Sequence, residues 1–271
     1  MCEFCTKHGE GGKWYENARN YTEEVFRQVS SEEKLKAFLQ EFPGVLRESL
    51  PRAMAWRRRY PKIYRFLAWP LATRYFKSAH FGQIVPLEDV ERILERFTMV
   101  VRLPCICRRV TTGKELRYCL GIGMDLTHVL REAPDFRDFD RISPVEATTL
   151  VRHLDQAGCV HSIWTFGTPY IGAICNCDRD CMAWRTQFKE QAVKVMWKAE
   201  YVAMVDPERC IGCRACLRRC FYDALAFDRE AGQAVIAPQQ CVGCGVCRAV
   251  CPKDAIALRD RRGLAEVAED W

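Results

Sequence analysis

Two cysteine-rich stretches near the end of the chain decide its fold: CIGCRACLRRC at residues 210–220 and CVGCGVCRAVCP at residues 241–252. Both follow the spacing Cys-x2-Cys-x2-Cys-x3-Cys, so every cysteine of the first stretch recurs at one fixed offset in the second. The repeat extends beyond the thiols, because DALA at residues 223–226 is matched at the same offset by DAIA at residues 254–257. This part of the chain is therefore an internal duplication.

The duplicated pattern resembles that of bacterial-type ferredoxins with two 4Fe-4S clusters, in which the fourth cysteine of each motif belongs to the other cluster. The resemblance covers residues 200 to 260. It implies two crossed ligand sets: Cys210, Cys213, Cys216 and Cys251 for one cluster, and Cys241, Cys244, Cys247 and Cys220 for the other. Phe221 departs from the family pattern, which has proline after this cysteine. A pair of zinc knuckles is the alternative, although zinc sites use four ligands without such an interlock.

The cysteine content excludes a simple disulfide scaffold. The chain has 271 residues and 17 cysteines, and an odd number of thiols cannot all be paired. Its first residues, MCEFC, show neither the basic nor the apolar segment of a signal peptide, so we expect a reducing, cytoplasmic location. No apolar run of about 18 residues occurs, so no membrane-spanning helix is expected. Metal ligation is the leading explanation for the thiols.

Two helix–strand units are predicted upstream of the duplication. Apolar residues at i, i+3, i+4 and i+7 mark one helical face within residues 90–97 and another within 147–154. Each helix begins with a Pro-x-Glu sequence, and Ser143 precedes the second as a predicted N-cap. Runs rich in β-branched and aromatic residues come next, at 99–103 in the first unit and at 160–174 in the second. Each unit ends in Cys-x-Cys.

These two Cys-x-Cys sequences, at residues 105–107 and 175–177, predict a further metal centre. Residues i and i+2 of a strand point to the same side, so two such units packed side by side would bring four thiols together. We expect a third iron–sulfur cluster, with ligands drawn from Cys105, Cys107, Cys119, Cys175, Cys177 and Cys181. Zinc is the competing metal, because the spacing does not select iron. Burial as small core residues is the other alternative.

Three weaker signals remain. The sequence Cys-x2-Cys-x2-His at residues 2–8 supplies at most three ligands; it would complete a cluster with Cys119 or form a mobile terminus. Cys159 is isolated and is predicted to be a core residue. His161, on the strand leading to the second Cys-x-Cys, is expected to be exposed or hydrogen-bonded rather than a ligand.

Residues 47–77 are strongly basic and rich in aromatic side chains, with Glu48 as their acidic member. A solvated rim around packed aromatic residues is one explanation. The other is docking of an acidic redox protein, such as a ferredoxin or flavodoxin, or of a larger redox complex. Peripheral contact with an anionic membrane is also compatible with this composition. Nucleic-acid binding is not expected, because Pro51, Pro61 and Pro70 break the segment.

Taken together, the sequence predicts an α+β protein with three units: a helical basic region at 1–83, a cysteine-bearing α/β region at 84–197 and a ferredoxin-like domain at 198–271. The expected function is an iron–sulfur oxidoreductase, or a component of one, that relays electrons to the upstream cysteine site. A non-catalytic electron-transfer adaptor between a soluble donor and a separate enzyme is the alternative. No flavin or nicotinamide site is indicated, and the sequence assigns no catalytic residue or substrate.

Overall fold

The computed structural model describes residues 2–270, and both helices and sheets occur within them, which confirms the α+β class. The helices are α1 Glu3–His8, α2 Glu23–Val29, α3 Glu32–Gly44, α4 Leu50–Arg59, α5 Pro61–Ala79, α6 Leu87–Leu94, α7 Ile106–Thr112, α8 Thr127–Arg131, α9 Pro144–Ala157 and α10 Met182–Trp184. The strands are β1 Gly82–Ile84, β2 Val100–Leu103, β3 Cys119–Gly121, β4 Asp140–Ile142, β5 Val160–Thr165, β6 Ile171–Cys177, β7 Met196–Trp197, β8 Tyr201–Val205, β9 Leu225–Asp228, β10 Gln233–Ile236 and β11 Ile256–Asp260.

A seven-stranded sheet with the order β4-β2-β3-β6-β5-β1-β7 forms the centre of the molecule. Its pairings are antiparallel except for β1 with β7. The N-terminal segment packs on this sheet, because Phe4, Trp14 and Tyr15 share one buried cluster with Ile163 and Ile174. The predicted boundary at residue 83 thus falls inside β1, and the division into three units remains a prediction.

The local signals in the two helix–strand units are confirmed. Helix α9 begins with a capping box, in which the Ser143 hydroxyl accepts from the Glu146 backbone N–H and the Glu146 side chain accepts from the Ser143 backbone N–H. Helix α6 has the expected buried face of Val90, Ile93 and Leu94. Strands β2, β5 and β6 lie within the predicted runs, although β6 continues through the second Cys-x-Cys.

Two details of the predicted thiol arrangement are wrong. The units are not side by side, because β3 lies between β2 and β6. The first Cys-x-Cys is not extended: β2 ends before Pro104, Cys105 caps α7, and Cys107 lies in that helix. Proline lacks the N–H that a strand would need there, which is the physical reason for the early end. The second pair, at 175–177, is extended as expected.

The duplicated region forms two small antiparallel sheets, β8 with β11 and β9 with β10. The segment between β7 and β8 is bonded to this region through its backbone: the Ala199 N–H donates to the Val242 carbonyl at 2.9 Å, and the Arg261 N–H donates to the Glu200 carbonyl at 2.9 Å. Among residues 2–270, no helix is long and apolar enough to cross a membrane.

Candidate metal centres

Two small cavities in the C-terminal region are lined by cysteines from both motifs. One is lined by Cys210, Cys213, Cys216 and Cys251, together with apolar side chains such as Val205 and Ile256. The other is lined by Cys220, Cys241, Cys244 and Cys247. The folded chain therefore groups the eight thiols into the two crossed sets that the resemblance implies. The first set lies nearer the surface, since Cys213 is exposed whereas Cys241, Cys244 and Cys247 are buried.

The loops around these cavities are shaped for a bulky anionic group. Gly243 has φ +74°, and a Cβ there would overlap the carbonyl oxygen of Tyr201, so only glycine allows this close approach. Backbone N–H groups point at sulfur in both sets: Ala203 donates to Cys241 Sγ at 3.4 Å and Ala255 donates to Cys251 Sγ at 3.2 Å. Such hydrogen bonds favour thiolates and tune bound clusters. The residues present fit 4Fe-4S clusters.

Arg261 adds a positive charge beside the second set, which sequence reasoning missed. Its side chain is 1% exposed, and its guanidinium donates to the carbonyl oxygens of Ala199, Tyr201 and Cys241. Its Nη1 has no hydrogen-bond partner among the described residues. A buried guanidinium with a spare donor suits a neighbouring anion. Nothing in the local sequence distinguishes Arg261 from Arg262 beside it.

Residues 203–258 match the sequence model of the 4Fe-4S dicluster domain. The C-terminal part of this chain is such a dicluster domain. The chain is accordingly an iron–sulfur electron-transfer protein, and the resemblance given by its cysteine spacing is confirmed. A search among curated proteins gives no match for the chain.

The six upstream candidate cysteines form a row at one side of the central sheet. Cys105 Sγ lies 3.5 Å from Cys119 Sγ, and the Cys119 thiol in turn interacts with Cys175. At the other end, the thiol of Cys177 interacts with that of Cys181. The insertion of β3 between β2 and β6 places Cys119 inside the row, between Cys105 and Cys175. The remaining member, Cys107, is close enough to Cys181 for the two thiols to affect each other electrostatically.

These thiols are poorly suited to carry charge without a cation. Burial raises the pKa of Cys107, and hydrogen bonding to Cys119, followed by burial, raises the pKa of Cys105. The pKa of Cys177 is also raised, first by its hydrogen bond with Cys181 and then by burial. A bound metal reverses this preference, because coordination stabilises the thiolate.

Arg108 is the buried cation of this region, with its side chain 1% exposed. Its Nη2 lies 2.9 Å from Asp178 Oδ2 and donates to the Asn176 carbonyl at 3.3 Å. Its Nε and Nη1 have no hydrogen-bond partner among the described residues. Cys181 and Cys105 both act on its charge, so the guanidinium with its two spare donors lies within electrostatic range of the thiol row. The residues present therefore also fit an anionic cluster here.

A large apolar cavity of about 260 Å³ opens beside the row. Four of the six cysteines, Cys107, Cys119, Cys175 and Cys177, line its wall. The opposite wall comes from α3, the segment after it, and the end of α5, with Phe38, Leu46, Phe76 and His80 among the lining side chains. The site thus combines thiols with an enclosure that suits an apolar small molecule.

The weaker candidates separate clearly. His161 is fully buried and its Nδ1 lies 2.6 Å from Asn176 Oδ1, so it is hydrogen-bonded, as expected. Cys159 is buried outside the row, in agreement with a core role. Neither expectation for residues 2–8 holds, because Cys2 and Cys5 are buried against Glu200 instead of Cys119. Glu200 carries no sequence signal that could have identified it.

Proposed function

We propose that this protein is an oxidoreductase, or the catalytic component of one, that carries electrons from the dicluster domain to a third iron–sulfur centre in the upstream thiol row and on to an apolar molecule in the adjoining cavity. The main observation behind this proposal is the buried Arg108 guanidinium, which has two donors without a partner among the described residues and lies within electrostatic range of Cys181 and Cys105. Asp178 pairs with this guanidinium on one side, but buried donors without a partner are costly. A thiolate-ligated cluster would supply acceptors for them.

The relative placement of the thiol sets supports one order of electron flow. The exposed Cys213 makes the first cavity the natural entry point. The second cavity is buried and approaches the upstream row at Tyr222, whose pKa is raised first by burial and then by Cys244 and Cys177. One phenol is therefore within electrostatic range of both the dicluster domain and the row. Each 4Fe-4S centre moves one electron, so the order is entry set, buried set, thiol row.

An iron–sulfur cluster fits the thiol row better than a zinc ion does. One zinc ion is bound by four ligands in a structural site, whereas the row contains six thiols that succeed one another along β3, β6 and the starts of α7 and α10. A redox-inactive ion would also give the dicluster domain no acceptor. The apolar cavity supports a substrate that is itself apolar and reducible, taking its protons from solvent and its electrons from a reduced donor protein.

The donor is proposed to be an acidic redox protein. Arg214 and Arg218 are exposed beside the entry set, and Arg214 lies over the ring of Phe227 with its guanidinium 3.8 Å from the ring centroid. Exposed positive charge steers an acidic partner and is screened by salt over about 8 Å. Reduction by an acidic ferredoxin should slow as salt rises. The double variant Arg214→Glu, Arg218→Glu should be slower at low salt and nearly salt-independent; equal rates in both proteins would reject this docking face.

Metal content tests the third centre. Anaerobically purified protein should contain about twelve irons with matching sulfide, against about eight for the dicluster domain alone. Cys175→Ser or Cys177→Ser should remove the additional EPR signal of the reduced protein, and Cys159→Ser is the matched control that should keep it. About eight irons with one or two zinc ions in the native protein would contradict the proposal.

The cavity is tested separately from the metal. Ala79→Phe places a ring in the cavity wall, while Ala226→Phe makes the same change at an exposed site of β9. Reduced protein is mixed with a quinone, as an apolar acceptor, or with ferricyanide, as a charged one. Only Ala79→Phe should slow reoxidation by the quinone, and neither variant should alter reoxidation by ferricyanide. Quinone rates unaffected by Ala79→Phe would favour the non-catalytic adaptor.

A further inference from the structure

A second group of candidate metal ligands lies outside the thiol row and the dicluster domain. Cys2 Sγ, Cys5 Sγ and a carboxylate oxygen of Glu200 all lie within 4.8 Å of one another. The thiols are 2.9 Å apart, and Cys5 Sγ is 3.2 Å from Glu200 Oε1. All three residues are buried, with exposed fractions of 2%, 1% and 5%. Residues nearly two hundred positions apart in the sequence are thus held together in the interior.

The surroundings orient this group as a ligand set is usually oriented. Gln83 Nε2 donates to Glu200 Oε1 at 3.3 Å and to the Lys198 carbonyl at 3.1 Å, and its own amide oxygen accepts from Trp14 Nε1. The Cys5 backbone N–H donates to Cys2 Sγ at 3.2 Å, the same kind of N–H to sulfur bond found in the dicluster domain. Hydrogen bonds from neighbouring residues that fix the ligands are typical of metal sites.

Within residues 2–270, no close cation balances the charge of this group. Among residues 2–270, no Lys, Arg or His lies within ion-pair distance, 4.0 Å, of the Glu200 carboxylate. Arg261 and Arg262 act on it only at longer range. A buried carboxylate beside two thiols is therefore short of positive charge, and a divalent cation would supply it.

We propose that Cys2, Cys5 and Glu200 bind one divalent metal ion of the zinc or iron(II) type. Two sulfur ligands and one carboxylate suit such borderline ions and disfavour magnesium or calcium, which prefer oxygen ligands. Binding displaces the two thiol protons to solvent, so occupancy rises with pH. The site is independent of the proposed third cluster, because it shares none of its six cysteines.

The position of the site indicates what the metal does. Glu200 is the residue between Ala199, bonded through its N–H to Val242, and Tyr201, which begins β8. The metal therefore ties the first residues of the chain to the junction between the central sheet and the dicluster domain. We expect the metal to stabilise this junction. Cys241 of the dicluster domain is bonded to the same region, because its carbonyl accepts a hydrogen bond from Arg261.

Metal analysis of the full-length protein tests this site. Zinc and iron are counted in anaerobically purified native protein and in the variants Glu200→Gln and Cys5→Ser, with Cys159→Ser as the buried-cysteine control. Both variants should lose one equivalent of metal while keeping the EPR signals of the reduced clusters, and the control should lose none. The metal that is lost identifies the ion. Unchanged metal content in both variants would overturn the proposal.

Cobalt(II) provides a readout that does not depend on the purified metal. Native protein supplied with Co²⁺ during anaerobic reconstitution should gain thiolate-to-cobalt charge-transfer absorption that Cys5→Ser lacks and Cys159→Ser retains. Loss of folding is checked by the EPR signals of the dicluster domain. A Cys2–Cys5 disulfide, detected by mass spectrometry in anaerobically prepared protein with no bound metal, would equally overturn the metal assignment.

A separate observation concerns the outer face of α5. Ile63, Phe66, Leu67, Leu71 and Tyr75 follow helical spacing and are 51–79% exposed. Packed aromatic residues with a solvated rim were one expectation for this basic segment, but these side chains face outward. Exposed basic residues occur on the same helix at Lys62, Arg65 and Arg74, and at the end of α4 at Arg58 and Arg59.

We infer that this stripe binds an anionic lipid surface. A helix that exposes both apolar and basic side chains can lie in the plane of a membrane interface, where anionic headgroups meet the cations. With 19 residues, α5 is about 28 Å long, and no helix in residues 2–270 is suited to span a membrane. The charge complementarity favours acidic lipid over a second copy of this basic stripe, which would repel it.

Vesicle co-sedimentation tests whether the stripe binds acidic lipid rather than a second copy of the chain. Native protein should bind phosphatidylglycerol vesicles and bind phosphatidylcholine vesicles at least tenfold more weakly. Phe66→Glu, Leu71→Glu should abolish binding, whereas Val145→Glu, an equally exposed apolar residue on α9, should not. Absence of vesicle binding, binding unaffected by the α5 variant, or a dimer in lipid-free ultracentrifugation that the α5 variant dissolves would each overturn the inference.

Discussion

Arg108 and Asp178 form an ion pair at 2.9 Å in which one partner is buried and the other is about one-third exposed. The pair lies at the thiol row, and the two donors of Arg108 that Asp178 does not use have no partner among the described residues. The side chain also stacks on Tyr118, 4.7 Å from the ring centroid. Its charge is thus held in place by contacts on two sides, independently of any cluster.

Replacing Arg108 should change the redox potential of the third centre. Arg108→Gln removes a positive charge that favours the reduced, more negative state, so the potential should fall. Arg108→Lys keeps the charge and should shift it much less. The potential is measured by EPR-monitored titration, with the dicluster signals as internal reference. Equal potentials in all three proteins would show that Arg108 acts only in packing.

The two glycines Gly243 and Gly232 make a matched pair for testing the cluster loops. Both have positive φ, +74° and +67°, but a Cβ meets the Tyr201 carbonyl only at Gly243, and nothing lies within 4 Å at Gly232. Gly232→Ala should cost about 1–2 kcal/mol from the left-handed backbone alone. Gly243→Ala should cost more and leave the protein about four irons short. Equal iron contents would contradict the close approach described here.

The crossed ligand sets predict a result that uncrossed sets would not give. Cys220→Ala should remove the cluster held mainly by the second motif, and Cys251→Ala the cluster held mainly by the first. Arg261 identifies the survivor, because it bonds to the Cys241 carbonyl. Added to Cys251→Ala, Arg261→Gln should lower the remaining potential; added to Cys220→Ala, it should have little effect. The reverse pattern in these titrations would show that each motif holds its own cluster.

The sequence predicted those parts of the site that depend on neighbours along the chain. The duplicated motifs and the Ser143–Glu146 capping box are local patterns, and both were identified correctly. The bend after β2 was missed although Pro104 signalled it. Glu200 and Arg108 could not have been assigned, because their roles depend on which distant segments the fold brings against them: Cys5 for the first, Asn176 for the second.

The apolar cavity was also beyond sequence reasoning, since its walls include α3, α5 and the four strands β2, β3, β5 and β6, which meet only in the folded chain. Periodicity shows that a helix has an apolar face, but it does not show whether that face is filled. The basic stretch illustrates the same limit. Its composition was read correctly, yet only the fold shows that Phe66 and Leu71 are exposed while Tyr64 is buried.

His80 in the wall of the cavity should remain neutral to unusually low pH. Burial lowers its pKa from the ordinary value of 6.5 to about 4, opposed by a hydrogen bond from Nδ1 to the Thr165 carbonyl at 2.7 Å. The ring stacks on Trp164 with 4.8 Å between centroids, so protonation would place a charge among aromatic rings. Histidine-selective NMR, assigned with His80→Gln, should show one imidazole that titrates near pH 4.

The lowered pKa of His80 should make the stability of the protein depend on pH. As the pH falls below 6.5, the unfolded chain binds a proton at His80 that the folded protein does not bind. The free energy of unfolding therefore decreases until about pH 4, where the folded protein is protonated as well. The loss should be about 2 kcal/mol after allowance for the partial exposure of the ring. Anaerobic urea unfolding at pH 7 and pH 4.5 measures this loss.

Two variants assign the effect to His80. His80→Gln should show a smaller difference between the two pH values, while His128→Gln, which removes an exposed histidine paired with Glu32, should keep the native difference. If His80→Gln kept the full difference, the pH dependence would belong to other groups.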